Sequence, residues 1–244
     1  MKMANMLYVK KYYEISNSYK KLLRESYESD IREISMNDSG RRVINSYVKK
    51  VTDNRINDLI PSGVLNELTN LVLVNAIYFK GKWKECFFPE ATRQSNFQVS
   101  EKETVPVSMM FISGDFPFGR DSDLNCKYVK LSYVADELEM LLVLPDEVDG
   151  WKTLGEKITG DTIATWSREV KETRSNIYMP CFKAERDIPL KKILQEMGLK
   201  KIFLESADFS GIAGEKYMFL SDAFHMASIE VDEYGTEAAA ATSE

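Results

Sequence analysis

Very little in this sequence is equipped for catalysis. One histidine, His225, stands in 244 residues, so acid–base chemistry centred on imidazole has a single candidate. There is no G-x-S-x-G elbow, no phosphate-cradling P-loop, no H-E-x-x-H and no C-x-x-C. Those are the spacings that nucleophile, nucleotide, zinc and redox sites require. Cys86, Cys126 and Cys181 are odd in number and widely spaced. That pattern fits neither a disulfide framework nor a metal set, and the three read as free thiols. Asp121-Ser122-Asp123 opens like a calcium loop but lacks the glycine and the distal glutamate. The chain is therefore expected not to be an enzyme, and to carry no cofactor and no metal.

Long apolar runs are also missing. The longest, Leu71 to Phe79, is interrupted by Asn75 and falls well short of the ~20 residues of a membrane helix, so no membrane partner is expected. Charge of one sign is not concentrated either. With 32 Lys and Arg against 38 Asp and Glu, the net charge is −6 and the signs are interspersed, which argues against a nucleic-acid surface. Hydrophobic residues make up 44%, enough for a substantial core in one large domain or two small ones. Met1 to Val9 lacks the apolar core of a secretory leader.

Periodicity places the elements. Met3 to Val9 reads as a strand. Ile15, Tyr19, Leu22, Leu23 and Ser26 fall at helical spacing, with Ser16 or Ser18 as caps. Asp30 to Ile34 is extended. Asp38 and Ser39 precede an amphipathic helix with Val43, Ile44, Tyr47, Val48 and Val51 on one face. Leu68 to Phe79 is a near-continuous β-branched and aromatic run, the pattern of a central strand covered on both faces. Asn75 within it marks either an edge or bulge, or a buried hydrogen-bonding site. Tyr128 to Tyr133, Glu139 to Leu144 and Asn176 to Phe182 are further strands. Thr162, Ile163, Trp166 and Val170 mark one helix. Leu190, Ile193, Leu194 and Met197 mark another, closed by Gly198. Phe224 to Glu233 alternates: His225, Ala227, Ile229 and Val231 share a face opposite Met226, Ser228, Glu230 and Asp232. His225 on such a strand reads first as a core histidine with a satisfied partner.

The last stretch, Glu230 to Glu244, is E-V-D-E-Y-G-T-E-A-A-A-A-T-S-E. A polar tail and a short alanine helix are two readings. A third is a strand in waiting. Small side chains can pass over a packed core, the absence of proline leaves every N–H available to a ladder, and Gly235 supplies a permissive hinge.

In context this series, strand then acidic patch then G-T-E-A-A-A-A-T, resembles the hinge of an inhibitory serpin. N-A-I-Y-F-K-G-K-W (Asn75 to Trp83) is similar to the pattern of that family's central strand, with Trp83 at the top of the sheet opening. Val105 to Met110, Leu144-Pro145-Asp146-Glu147 and Ala207 to Ile212 match further family segments in order. Met179-Pro180-Cys181-Phe182 is similar to P-x-F, with Cys181 where a lysine is common; it reads as a tolerated substitution.

The resemblance implies an α+β fold, with a large mixed central sheet, further sheets and flanking helices. Residues 1–244 would be one serpin domain, incomplete at both ends, with 230–244 as the reactive-loop hinge. It further implies that Asn75 and His225 form a latch beneath the sheet opening, and that Gly235, Thr236, Glu237, Ala238, Ala239, Ala240, Ala241 and Thr242 are the inserting hinge. The implied partner is a target serine protease, held as a covalent complex by a protein monomeric until then. A non-inhibitory carrier or chaperone and an inhibitor of cysteine proteases are the alternatives. Secretion is the expected location, with the cytoplasm as alternative.

Overall fold

The computed structural model describes residues 2–79, 81–134, 137–214 and 218–236. In chain order the elements are β1 (Lys2–Lys10), α1 (Asn17–Tyr27), β2 (Asp30–Ile34), α2 (Asp38–Val51), β3 (Leu71–Phe79), β4 (Gly81–Lys82), β5 (Arg93–Ser100), β6 (Glu103–Asp121), β7 (Cys126–Ser132), β8 (Glu139–Pro145), α3 (Gly150–Lys157), α4 (Gly160–Arg168), β9 (Lys171–Pro180), β10 (Phe182–Ile188), α5 (Leu190–Glu196), α6 (Ser210–Ala213), β11 (Leu220–Val231) and β12 (Gly235–Thr236). They gather into two compact units. One holds Met1–Phe79 and Ala184–Ile229, the other Lys80–Lys183 and Glu230–Glu244.

The first unit carries a five-stranded sheet in the order β10-β11-β3-β1-β2. It is mixed: β1 runs antiparallel to β3, while β1–β2 and β11–β3 are parallel. β3 thus lies in the middle, as its apolar text requires, and Asn75 is neither at an edge nor at a bulge. Side-chain alternation sorts residues to two faces. On one, α2 lays Ile44 and Val48, both fully buried, onto Ala4, Met6, Tyr8, Val72, Val74 and Ala76, with Phe224 and Met226 packed alongside. Burying each aliphatic side chain contributes roughly 1.5–3 kcal/mol. Asn37 caps α2, its side chain accepting from the Gly40 amide at 3.2 Å. On the other face Val9, Leu71, Met218 and Ala223 meet Leu23 of α1, with Leu7 and Leu73 partly buried among them.

Several expected boundaries and faces shift. β3 begins at Leu71 rather than Leu68, because Asn66 and Thr69 close a turn: the Thr69 amide donates to Asn66 O at 3.0 Å and the Leu68 amide to Asn66 Oδ1 at 2.9 Å. Leu68 is left exposed. On α1, Leu23 is buried and Leu22 exposed, so the apolar stripe is narrower than the spacing implied. Ser16 occupies the cap position of α1 without a capping bond, its hydroxyl paired instead with Ser18 at 2.6 Å.

The second unit is built on β6, a 19-residue strand. Its first half pairs with β5, its end with β7, and β9 runs antiparallel along Met109–Phe118; β7 pairs on to β8. β9 starts at Lys171, five residues before the expected Asn176, since that long partner extends the ladder. α3 and α4 cover this sheet through Leu154 and Trp166, which pack with Cys126 and Tyr128. Asp121 is taken up here: its carboxylate accepts from the amides of Asp123 and Leu124 at 3.0 and 2.9 Å and from the Trp166 indole at 2.9 Å. These bonds, the Leu124 amide first, hold its pKa below the ordinary carboxylate value. The calcium-like triplet is a turn that fastens α4.

Candidate functional site: a sheet seam and a hinge base

Two sites are described, one in each unit. The first is the seam between β3 and β11. The two strands pair directly, residue for residue from Ala223↔Leu73 to Ile229↔Phe79, with no strand between them. His225 sits opposite Asn75, and Asn75 sits opposite Asn5 of β1. By parity all three project from the face opposite α2. Asn75 Oδ1 is hydrogen-bonded to His225 Nδ1, and Asn75 Nδ2 donates to Asn5 Oδ1. With an amide oxygen as acceptor, His225 Nδ1 carries the proton. Burial depresses the His225 pKa below its ordinary 6.5, so the ring is neutral at physiological pH. A chain of three side chains therefore ties together the three adjacent strands β1, β3 and β11.

Asn5 was not among the residues expected at this site. Its signal was present all the same: a polar amide inside the strand text M-A-N-M-L, the same anomaly that marked Asn75.

The second site is the base of the proposed hinge. After β11 the chain turns at Asp232, whose carboxylate accepts from the Tyr234 amide at 2.9 Å and the Gly235 amide at 3.2 Å. Segment 232–236 then lies against 81–87. Gly235 pairs with Lys82 and Thr236 with Gly81 in β12–β4. The Trp83 amide donates to Tyr234 O at 3.0 Å, and the Phe87 amide to Glu233 O at 2.9 Å. The Trp83 indole donates to Asp232 O at 2.9 Å. Its ring is buried, stacked on Tyr133 at 4.5 Å and edge-on to Phe87 at 6.2 Å. Trp83 is thus the post to which the chain after β11 is fastened.

Gly235 has a strict reason to be glycine. Its φ is +150°, and an added Cβ would lie 2.1 Å from Gly81 O and 2.7 Å from Lys82 Cα. The rest of the expected hinge, Glu237, Ala238, Ala239, Ala240, Ala241 and Thr242, lies outside the described residues. Among the described residues, no cluster of three or more His, Cys, Asp or Glu could hold a metal, and no helix is long and apolar enough to cross a membrane.

The chain thus combines a mixed sheet, in which β3 and β11 pair directly and in parallel, with a turn at Gly235 just after β11. Comparison with known proteins names the class to which this arrangement belongs. A family model described as "Serpin (serine protease inhibitor)" matches residues 1–244. The leukocyte elastase inhibitor of Bos taurus is 37% identical over 253 residues, covering 99% of this chain and 67% of that protein. Serpin B3 of Homo sapiens is 36% identical, with coverage of 99% and 63%. Among solved structures, uncleaved ovalbumin superposes with a TM-score of 0.92 at 31% identity, over 98% of this chain and 66% of its own. Thyroxine-binding globulin in complex with thyroxine reaches 0.91 at 29% identity, over 99% and 66%. The chain belongs to the serpin family, a family of protease inhibitors, and has its α+β fold. It spans about two thirds of the length of these relatives.

Proposed function

We propose that this protein inhibits a serine protease by strand insertion. The observation that carries the reading is the proline-free run Thr236 to Thr242, small at every position but Glu237, which follows β11, a strand paired with β3, after a turn at residues 232–235. A protease would cleave the loop beyond Glu244 and form an acyl-enzyme. Residues 235–242 would then enter the β3–β11 seam as a new strand. Each inserted residue gains ladder hydrogen bonds and packing, and the sum works against the bound protease. Before insertion the latch Asn5–Asn75–His225 holds the seam shut, with Trp83 and Gly235 fixing where the inserting segment starts. The protein itself carries out no catalysis in this scheme, needs no cofactor, and is monomeric until it captures its protease.

The fold alone does not separate inhibition from carriage, since a relative solved with bound thyroxine matches as well as the others. The hinge composition favours inhibition: a carrier has no need of four consecutive small, uncharged residues there. Cys86, Cys126 and Cys181 are all unpaired, and Cys86 is exposed. We therefore place the protein in a reducing, cytoplasmic setting rather than outside the cell, where secretion was the first expectation.

The test mixes the full-length protein with trypsin-, chymotrypsin- and elastase-like proteases and follows denaturing gels. A band at the summed mass that survives boiling is expected with at least one of them. Thr236→Arg or Ala238→Glu is expected to convert trapping into plain cleavage, because the new charge would have to be buried without a partner. Undiminished trapping by both variants would falsify the insertion reading. Cleavage throughout the panel with no stable band would favour the carrier reading or a cysteine-protease target.

A further inference from the structure

Where β11 begins, its ladder with β3 slips by one residue. Leu220 stands opposite Leu71, and Asp222, not Ser221, stands opposite Val72. A bulge of this kind re-aims the side chains beside it. Here it brings Asp222 to the face that carries Val72, Phe224 and Met226, the apolar face under α2. The residue is half-buried there. Its Oδ1 accepts from the Ala223 amide at 2.8 Å, and among the described residues no lysine or arginine forms an ion pair with it. An anion partly withdrawn from water without a cation is costly. Beside it lies a cavity of about 270 Å³ with apolar walls of Val64, Leu65, Leu68 and Phe219. Leu68 is 82% exposed, an apolar side chain that the core does not use. Other polar side chains lining the cavity are already engaged as acceptors. Thr69 Oγ1 accepts from the Asn66 amide at 3.2 Å, and Ser221 Oγ from the Asn70 amide at 2.9 Å. Asp222 is the one charged group among the described residues that line it. A second cavity, of about 320 Å³, reaches Asp222 from the side of α5, but Lys191 and Lys192 line that one and would repel a cation.

We propose that the cavity beside Leu68 and Asp222 is a binding site for a small primary amine with an aromatic or branched aliphatic body. The ammonium pairs with the Asp222 carboxylate, and the body lies against Leu65, Leu68 and Phe219. Charge, wall and size select that chemistry together. The lone carboxylate turns anions away and favours a cation. The apolar walls reward a body that leaves water. The volume suits a molecule of a single ring, below the range of most drug-sized sites. This site stands apart from the hinge and from strand insertion, so it can be tested with no protease present.

The test titrates the full-length protein with phenethylamine and follows its amide chemical shifts. Saturable shifts are expected at Leu68, Thr69, Ser221 and Ala223, with none at Tyr128 or Val143 of the second unit. Phenethyl alcohol, alike in shape but uncharged, should bind about tenfold more weakly, since it forgoes the charge-assisted bond. Asp222→Asn keeps an acceptor for the Ala223 amide. It should weaken the amine about tenfold and leave the alcohol unchanged. Leu68→Ala, at an exposed side chain, should weaken both probes about threefold. Absence of saturation up to about 10 mM phenethylamine would overturn the site. So would equal affinity for amine and alcohol in wild type, a comparison that needs no variant to fold. An asparagine variant that holds the amine as wild type does would overturn it too. Shifts centred on Asp187 and Lys192 instead would put the amine in the other cavity, and the assignment would fall.

Discussion

The seam and the hinge base are held in opposite ways. Along the β3–β11 seam the bonding is a regular ladder with mostly apolar neighbours, and its polar side-chain bonds include the chain Asn5–Asn75–His225 and the Asn70 amide donating to Ser221 Oγ at 2.9 Å. At the hinge base, five residues from Asp232 to Thr236 meet the segment from Gly81 to Phe87 through two strand pairs, two further backbone bonds and an indole donor. On the proposed insertion reading, a seam that opens and recloses around a new strand would gain from uniformity, because any strand of small residues could take over the same ladder. A hinge base must instead define one starting point, and irregular, residue-specific contacts do that.

The largest way to break this contrast is at Gly235. Valine there would meet Gly81 O at 2.1 Å and would have to adopt a φ of +150°. The expected cost is roughly 3 kcal/mol of the second unit's stability. Urea unfolding followed by tryptophan fluorescence would measure it. A loss under about 1 kcal/mol would show that segment 232–236 can leave its place freely, and the hinge base would then resemble the seam after all.

Next in size is Asn75→Ala. It removes one amide but strands two partners, the His225 N–H and Asn5 Oδ1, and burial makes each unpaired group costly at about 1–3 kcal/mol. The double variant Asn5→Ala with Asn75→Ala should lose less than the sum of the singles, since the second change removes a group already orphaned. Strict additivity, read from denaturant midpoints, would mean that the three residues do not act as one latch. A smaller effect is expected from Trp83→Phe. It keeps a ring to stack on Tyr133 and forfeits the indole bond to Asp232 O, about 1 kcal/mol.

Legibility in the sequence follows the same contrast. The seam was readable because its strands obey period two over many residues: the parity of β11 and the apolar text of β3 needed no tertiary knowledge. Placing His225 beside Asn75, 150 positions apart, came only through the family likeness. Asn5 was overlooked because a single amide in a short strand looks like noise until its partner is known. The hinge base was legible at Gly235 and Trp83 alone. Its acceptors are the backbone carbonyls of Asp232, Glu233 and Tyr234, and a carbonyl leaves no mark in a sequence. The side-chain partner of Glu233, the Thr92 hydroxyl, comes from the Pro89–Thr92 turn, which no local pattern links to it. Leu68 and Leu22 were misplaced for a local reason, a side-chain turn at Asn66 and a narrow helical stripe, where hydrophobicity outweighed hydrogen-bond chemistry.

The finest distinction concerns proton linkage at the latch. Burial depresses the His225 pKa below 6.5, so folding favours the neutral ring. The stability this contributes is fully present above pH 6.5 and is lost as pH falls through the folded value. Asp30, Asp38 and Asp121 also have lowered pKa values, below an ordinary 3.8, and their contributions are lost only in more acidic solution. Between pH 7.5 and 5 the latch can therefore be watched almost alone. As His225 is the one histidine, its ring proton resonance gives the titration directly. A midpoint below 6.5 is expected, together with a small fall in the unfolding midpoint over that range that His225→Gln flattens. Asn75→Asp should reverse the sign: a carboxylate opposite Nδ1 favours the charged ring, lifts the titration above 6.5 and makes the seam firmer in mild acid. A midpoint unmoved by that exchange would show that the ring does not face residue 75 in solution, and the latch would have to be given up.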